Sequence, residues 1–184
     1  MSSDLNVSED PRAGLELTRY HSWPVHRRQS VGEHSAQIMR ILLTVWPDCP
    51  RRMLVHAVTH DIGEMAGDVQ YPFKQRIFGM KAAHDMAERV VRDDMRRVFG
   101  LPKDQVLTEF EESVFKIVEF IEMWEYGLRE MNMGNRYGRV IAARCILAAS
   151  KRLEELDPVA ASRSPELRPA IMSYVNTRTK WEGV

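Results

Sequence analysis

Two histidines and an aspartate stand where one ion could be shared: His34 within VGEHSAQ, and His60 joined to Asp61 within VTHDIGEMAGD. His60 and Asp61 fall where a helical pattern meets Gly63, so both side chains can reach toward one point beyond the helix end. His34, inside another helical pattern, offers a second imidazole, and Glu119 offers a second carboxylate. Two neutral imidazoles with two carboxylates suit Mn, Fe, Co, Ni or Zn better than soft Cu⁺ or oxygen-seeking Ca²⁺. An ion so held can acidify a bound water and polarise a phosphoryl group. Taken singly, each residue has a plainer explanation in the core or on the surface. His56, four residues before His60, has the spacing of a zinc HxxxH pair but lacks the glutamate of HExxH, so it stays structural. His26 and His84 receive no role.

Helices must bring these groups together. Pro and Gly punctuate segments of helical rather than alternating period, an all-α pattern. A short helix is expected over 10–17, then an irregular polar segment, TRYHSWPVHRRQ, in which Pro24 opposes a long helix. Ser30 with Glu33 has capping-box spacing and should open a helix running to about Trp46. A third helix is expected from Arg51 to Asp61, ending at Gly63, followed by a loop at 67–73 and a helix over 82–99. Val106, Phe110, Val114, Ile117, Ile121, Trp124, Leu128 and Met131 form an apolar stripe along one long helix. Phe115, Val118, Phe120 and Tyr126 extend its apolar surface, which makes it a buried strut. Glu119 and Glu122 lie inside that strut on one face, and a buried carboxylate costs several kcal/mol unless it finds a partner or a cation. Two last helices, 139–156 and 165–178, are expected around a Pro158–Pro165 linker. The methionines, 11 in all, read as core filler.

The order H…HD…D/E on helices resembles the HD-domain metal-dependent phosphohydrolases. RQSVGEHSAQ, HDIGEMAGD and KIVEFIEMWEYGLREMNMGN are similar to the small-chain branch that holds bacterial 5′-deoxynucleotidases and phage dATP triphosphohydrolases. The likeness runs from about Arg19 to Asn135. It implies an all-α HD-domain helical bundle, one domain over residues 1–184 with a short polar segment at 1–9. It further implies a metal held by His34, His60, Asp61 and Glu119, although the family normally has aspartate where this chain has Glu119. Glu122 is the reserve ligand and otherwise a substrate-binding candidate. The resemblance gives Glu64, in HDxxE, the task of positioning or deprotonating the attacking water, and Asp68 that of contacting the scissile phosphate. Arg19 and Lys74 match positions that hold phosphates. Tyr20 and Pro72 can form a slot for a purine, with Trp23 and His21 in reserve for the pocket wall.

The activity so implied is hydrolysis of dATP or another dNTP to deoxynucleoside and tripolyphosphate. The alternative is a 5′-deoxynucleotidase acting on a dNMP, and a third reading is a non-catalytic nucleotide-binding module. The cofactor would be Zn, Co, Mn, Ni or Fe, with a second Mg-like ion accompanying a triphosphate. Relatives are dimers or larger rings, so a homo-oligomer is expected.

Bulk composition agrees with this class. The chain has 184 residues, 44% apolar and 28% charged, and its 26 basic and 26 acidic residues cancel. That balance leaves no footprint for a nucleic-acid polymer or an anionic membrane, and the Arg pairs at 27–28, 51–52 and 96–97 are scattered. Cys49 and Cys145 make neither a metal-type CxxC nor a disulfide framework. The opening MSSDLNVSED lacks the basic start and apolar run of a secretory signal, so a cytoplasmic protein is expected, and the resemblance implies a bacterial or phage-infected cell.

Overall fold

The computed structural model describes residues 13–20, 24–66, 80–98, 100 and 106–181. These residues are mostly helical. Helices α1 (Ala13–Glu16), α2 (Val31–Val45), α3 (Arg51–Thr59), α4 (Met80–Val98), α5 (Glu109–Asn132), α6 (Arg136–Arg163) and α7 (Leu167–Trp181) follow in order, with a 3₁₀ turn at Ile62–Ala66. No helix is long and apolar enough to cross a membrane, among the described residues.

Helix α5 is the central strut. Its start is set by Thr108, whose hydroxyl accepts from the Glu111 amide while the Glu111 carboxylate accepts from the Thr108 amide, a reciprocal capping box. The apolar stripe therefore begins at Phe110; Val106 precedes the helix and is 90% exposed. Glu111 is also gripped by Arg52 through two hydrogen bonds of 2.9 and 2.5 Å, which ties α3 to the first turn of α5. Val114, Ile117, Val118, Ile121 and Leu128 of α5 pack with Ile38, Ile41 and Leu42 of α2, Met53 of α3, and Ile141 and Cys145 of α6.

At its far end α5 stops at Gly134, φ +85°, where the Asn135 amide donates to the Glu130 carbonyl and the Gly134 amide to Met131. Only glycine takes that left-handed turn without strain. The chain then reverses into α6, which lies so close to α5 that a Cβ on Gly127 would stand 2.6 Å from the Ala142 amide nitrogen.

Several sequence expectations meet the structure directly. Ser30 does cap α2, accepting from the Glu33 amide at 3.1 Å. The segment expected to be irregular contains a two-residue antiparallel ladder, Thr18–Arg19 against Gln29–Ser30, pairing Arg19 with Gln29. Helix α3 ends at Thr59, earlier than expected, and Gly63 lies inside the 3₁₀ turn beyond it. Helix α6 continues through Pro158 to Arg163 where a linker was expected. Pro158 and Glu154, the residue whose carbonyl loses its intrahelical donor, are both exposed there.

Candidate metal centre

Three elements deliver the ligands. His34 is fully buried one turn into α2, behind the Ser30 cap. His60 is the C-cap of α3, and Asp61 follows before the 3₁₀ turn, so helix termination aims both side chains past the end of α3. Their ligand atoms and that of His34 all lie within 4.8 Å of one another.

The tautomers follow from the partners. His34 Nδ1 meets Glu122 Oε2 at 2.5 Å and His60 Nδ1 meets the Ala57 carbonyl at 2.9 Å. A carboxylate and a carbonyl only accept, so both Nδ1 atoms carry hydrogen, and in a neutral ring each Nε2 presents its lone pair. His34 Nε2 stands 3.6 Å from Asp61 Oδ2, and His60 Nε2 3.3 Å from Asp61 Oδ1. Among the described residues, Nε2 of each histidine and Asp61 Oδ2 are buried without any hydrogen-bond partner. Three such orphans facing one another is costly, since each buried polar atom left unmet forfeits about 1–3 kcal/mol. Ligands about 2.1 Å from one ion stand roughly 3.0–3.4 Å apart, near the 3.6 and 3.3 Å that separate the two imidazole nitrogens from Asp61. The donor set and its spacing fit a divalent transition metal, and His34, His60 and Asp61 form a group able to hold one.

Charge around the three is ordered to match. Burial pulls the His60 pKa down, keeping the imidazole neutral as a ligand must be. Burial alone would raise the Asp61 carboxyl, but His60, Arg19 and His34 outweigh it and hold the group well below the usual carboxylate range. Glu122, 2% exposed, faces the same opposition: burial raises it, while His34, Arg19 and Gln29 pull it down. Gln29 Nε2 donates to Glu122 Oε1 at 2.6 Å. Glu122 grips the outer nitrogen of His34.

Glu119 does not join the three converging atoms. Its Oε2 accepts from Lys116 Nζ at 2.6 Å, although its charge is felt by both His60 and Asp61. Burial would raise this carboxyl, and Lys116 and His60 more than offset that. Glu64 sits in the 3₁₀ turn, its amide donating to the Asp61 carbonyl at 2.9 Å, and its charge reaches Arg19. Arg19 lies on the ladder strand, 12% exposed, its Nη2 3.6 Å from Asp61 and its Nη1 3.9 Å from Glu122, with Nη1 buried and lacking a hydrogen-bond partner among the described residues. Asp68, Pro72, Lys74 and Trp23, with His21, fall outside the described residues.

Tyr20 occupies the left-handed region at φ 57°, a strained conformation for a side chain of that size. Its ring stacks on Tyr126 at 4.6 Å and 7°, so one face of the expected purine slot is already covered. The Tyr20 hydroxyl is buried and lacks a hydrogen-bond partner. His56 packs edge-on against Phe115 at 4.6 Å and is not among the converging ligands.

Sequence reasoning missed Gln29 and Lys116. Lys116 carried a signal, three residues before Glu119 on one helix face. Gln29 carried none, because its place depends on the ladder with Arg19 and on α5 passing beneath it. Compared with known proteins, the chain matches no family model, no curated protein and no solved structure.

Proposed function

We propose that this chain is an HD-type metal-dependent phosphohydrolase acting on deoxynucleotides, with dATP or another dNTP as substrate and tripolyphosphate and deoxynucleoside as products. The observation that carries the reading is the trio of buried atoms His34 Nε2, His60 Nε2 and Asp61 Oδ2, which lie close together with no hydrogen-bond partner among the described residues. A transition metal held there supplies a Lewis acid beside the scissile phosphate and a water of lowered pKa.

The chain's own residues have distinct tasks. Glu122 and the Ala57 carbonyl hold the outer hydrogens of the two imidazoles, fixing which nitrogen each turns inward. Arg19, whose Nη1 is buried 3.9 Å from Glu122 without a hydrogen-bond partner among the described residues, would meet an oxygen of the reacting phosphate. Glu64 is the proton acceptor for the attacking water. In the reaction, water adds to the α-phosphorus, the bond to the sugar O5′ breaks, and O5′ leaves with a proton. Charge gathering on the phosphoryl oxygens is met by the fixed guanidinium of Arg19. On this reading the helical arrangement is the HD fold, and the protein works in the cytoplasm as a homo-oligomer.

The test is a product assay with Co²⁺- or Mn²⁺-loaded protein over a panel of dNTPs and dNMPs. Tripolyphosphate released from dATP supports the proposal, and orthophosphate from dAMP supports the 5′-deoxynucleotidase alternative. Nucleotide binding with no turnover of any substrate would leave the non-catalytic module. Asp61→Ala should lose both metal and turnover, whereas Glu64→Ala should lose turnover and keep most metal. Full activity in metal-free Asp61→Ala protein would refute the mechanism.

A further inference from the structure

Where α2, α5 and α7 meet, three guanidiniums gather on one buried carboxylate. Glu125, one turn beyond Glu122 on α5, has a side chain only 6% exposed. Arg40 of α2 donates from Nη2 to its Oε2 at 2.7 Å, Arg178 Nε of α7 stands 3.0 Å from its Oε1, and Arg129 Nη2 of α5 stands 3.7 Å from Oε2. Tyr174 of α7 donates its hydroxyl to Oε1 at 2.5 Å and accepts from Arg40 Nη1 at 2.7 Å. Its ring centre lies 5.7 Å from the guanidinium carbon of Arg40 and of Arg178. Gln37 accepts from Arg40 Nε at 2.7 Å. One guanidinium would neutralise the carboxylate, yet three stand on it. That leaves two positive charges at one place in a chain whose formal total is zero. The surrounding helices do not offset them: Leu167–Trp181 contains Arg168, Arg178 and Lys180 and no acid, and the one acid of α2, Glu33, pairs with Arg27. On α5, Glu122 is taken by His34 and Gln29, and Glu130 by the amides of His26 and Arg27.

From this arrangement we infer that Arg40, Arg129 and Arg178 bind a doubly charged oxyanion, phosphate or a soluble phosphomonoester, with Glu125 and Tyr174 holding the guanidiniums in place behind it. The three side chains are 34%, 32% and 34% exposed, so each reaches solvent while the carboxylate they share does not. Two of them approach the same carboxylate oxygen, which keeps their nearest nitrogens within the span of one tetrahedral anion. Like charges gathered this closely repel, and a bound counter-ion relieves the repulsion. A phosphate group carries about −1.5 to −2 near neutral pH, which matches the two positive charges left over. Guanidinium forks suit its oxygens, since each can offer parallel N–H donors. Little ordering remains to be done on binding, because Arg40 is already fixed by Glu125, Tyr174 and Gln37. The site uses none of the proposed metal ligands and does not depend on the phosphohydrolase reading. An anion bound there would bridge α7 to α2, the helix that carries His34.

The experiment is calorimetry of the full chain with inorganic phosphate, in EDTA and at constant ionic strength, for wild type, Arg129→Gln, Arg178→Gln and Arg19→Gln. Arg129 is the cleaner deletion, because at 3.7 Å it makes no hydrogen bond to Glu125 that folding could need. Arg129→Gln and Arg178→Gln should each weaken phosphate binding by about tenfold or more, the worth of a lost charge-assisted contact. Arg19→Gln, beside the metal centre, should retain the binding that these two lose. Sulfate, also a dianion, should compete with phosphate, and nitrate at the same concentration should not. Phosphate should raise the melting temperature of wild type more than that of Arg129→Gln. No phosphate binding by wild type overturns the inference, as does unchanged affinity in Arg129→Gln. Loss of binding in Arg19→Gln alone assigns the anion to the metal centre and also overturns it, and so does nitrate displacing phosphate as well as sulfate does. Circular dichroism checks folding, and should Arg178→Gln unfold, Arg129→Gln decides by itself.

Discussion

Replacing Glu122 by glutamine leaves the volume of the side chain unchanged and removes one charge behind His34. The carboxylate accepts two hydrogen bonds, from His34 Nδ1 at 2.5 Å and from Gln29 Nε2 at 2.6 Å, and it lies 3.9 Å from Arg19. An amide has one acceptor, so whichever donor keeps it, the other meets an NH₂ group. If Gln29 keeps the oxygen, His34 is driven to its other tautomer, and a hydrogen then occupies the Nε2 that should face the ion. Removing such a support behind a metal-bound histidine typically weakens metal binding about 10–100-fold, or about 1.4–2.7 kcal/mol. Losing a hydrogen bond to a charged group predicts about 1.5–3 kcal/mol, the same range. Calorimetric titration with Co²⁺ at pH 7.5 reads the effect, with His34→Ala as the reference for a lost ligand and circular dichroism as the check on folding. A helical Glu122→Gln protein that binds Co²⁺ within twofold of wild type would show that Glu122 does not set the His34 tautomer.

Two further perturbations test the scaffold. Gly127→Ala should lower stability by about 1–3 kcal/mol and the melting temperature by several degrees, because its Cβ meets the Ala142 amide nitrogen at 2.6 Å and the Gly138 carbonyl at 2.9 Å. An unchanged thermal melt would contradict so close a crossing of α5 and α6. Glu130 is fully buried, and although burial raises its carboxyl, the amides of His26 and Arg27 and the side chain of Asn135 pull it below the usual carboxylate range. A carboxyl lowered on folding contributes stability that is present above its unfolded pKa, about 4.3, and lost as pH falls through the folded value. Denaturant midpoints between pH 7 and pH 3 should therefore fall more steeply for wild type than for Glu130→Gln, and parallel curves would count against that assignment.

The helices and their limits were legible from the chain because they depend on neighbours in sequence. Periodicity marked the strut, and Ser30 with Glu33 marked the start of α2. Local signals misjudged positions that tertiary contact decides. The ladder of Arg19 with Gln29 pairs residues ten apart within a polar segment that carries no alternating pattern. Pro158 stays helical at an exposed position.

The candidate site divides in the same way. By itself, the sequence determined the chemistry on offer: two histidines and an aspartate at helix-borne positions, and two acids in an apolar strut that had to find cations or donors. It could not rank those acids, because Glu119 and Glu122 share a helix face and differ only in what other elements lay against them. Tertiary structure decided that Glu122 backs His34 while Glu119 turns to Lys116. The physical reason is that a ligand's type is a property of one residue, whereas its orientation is set by partners far along the chain that only folding brings within hydrogen-bonding distance.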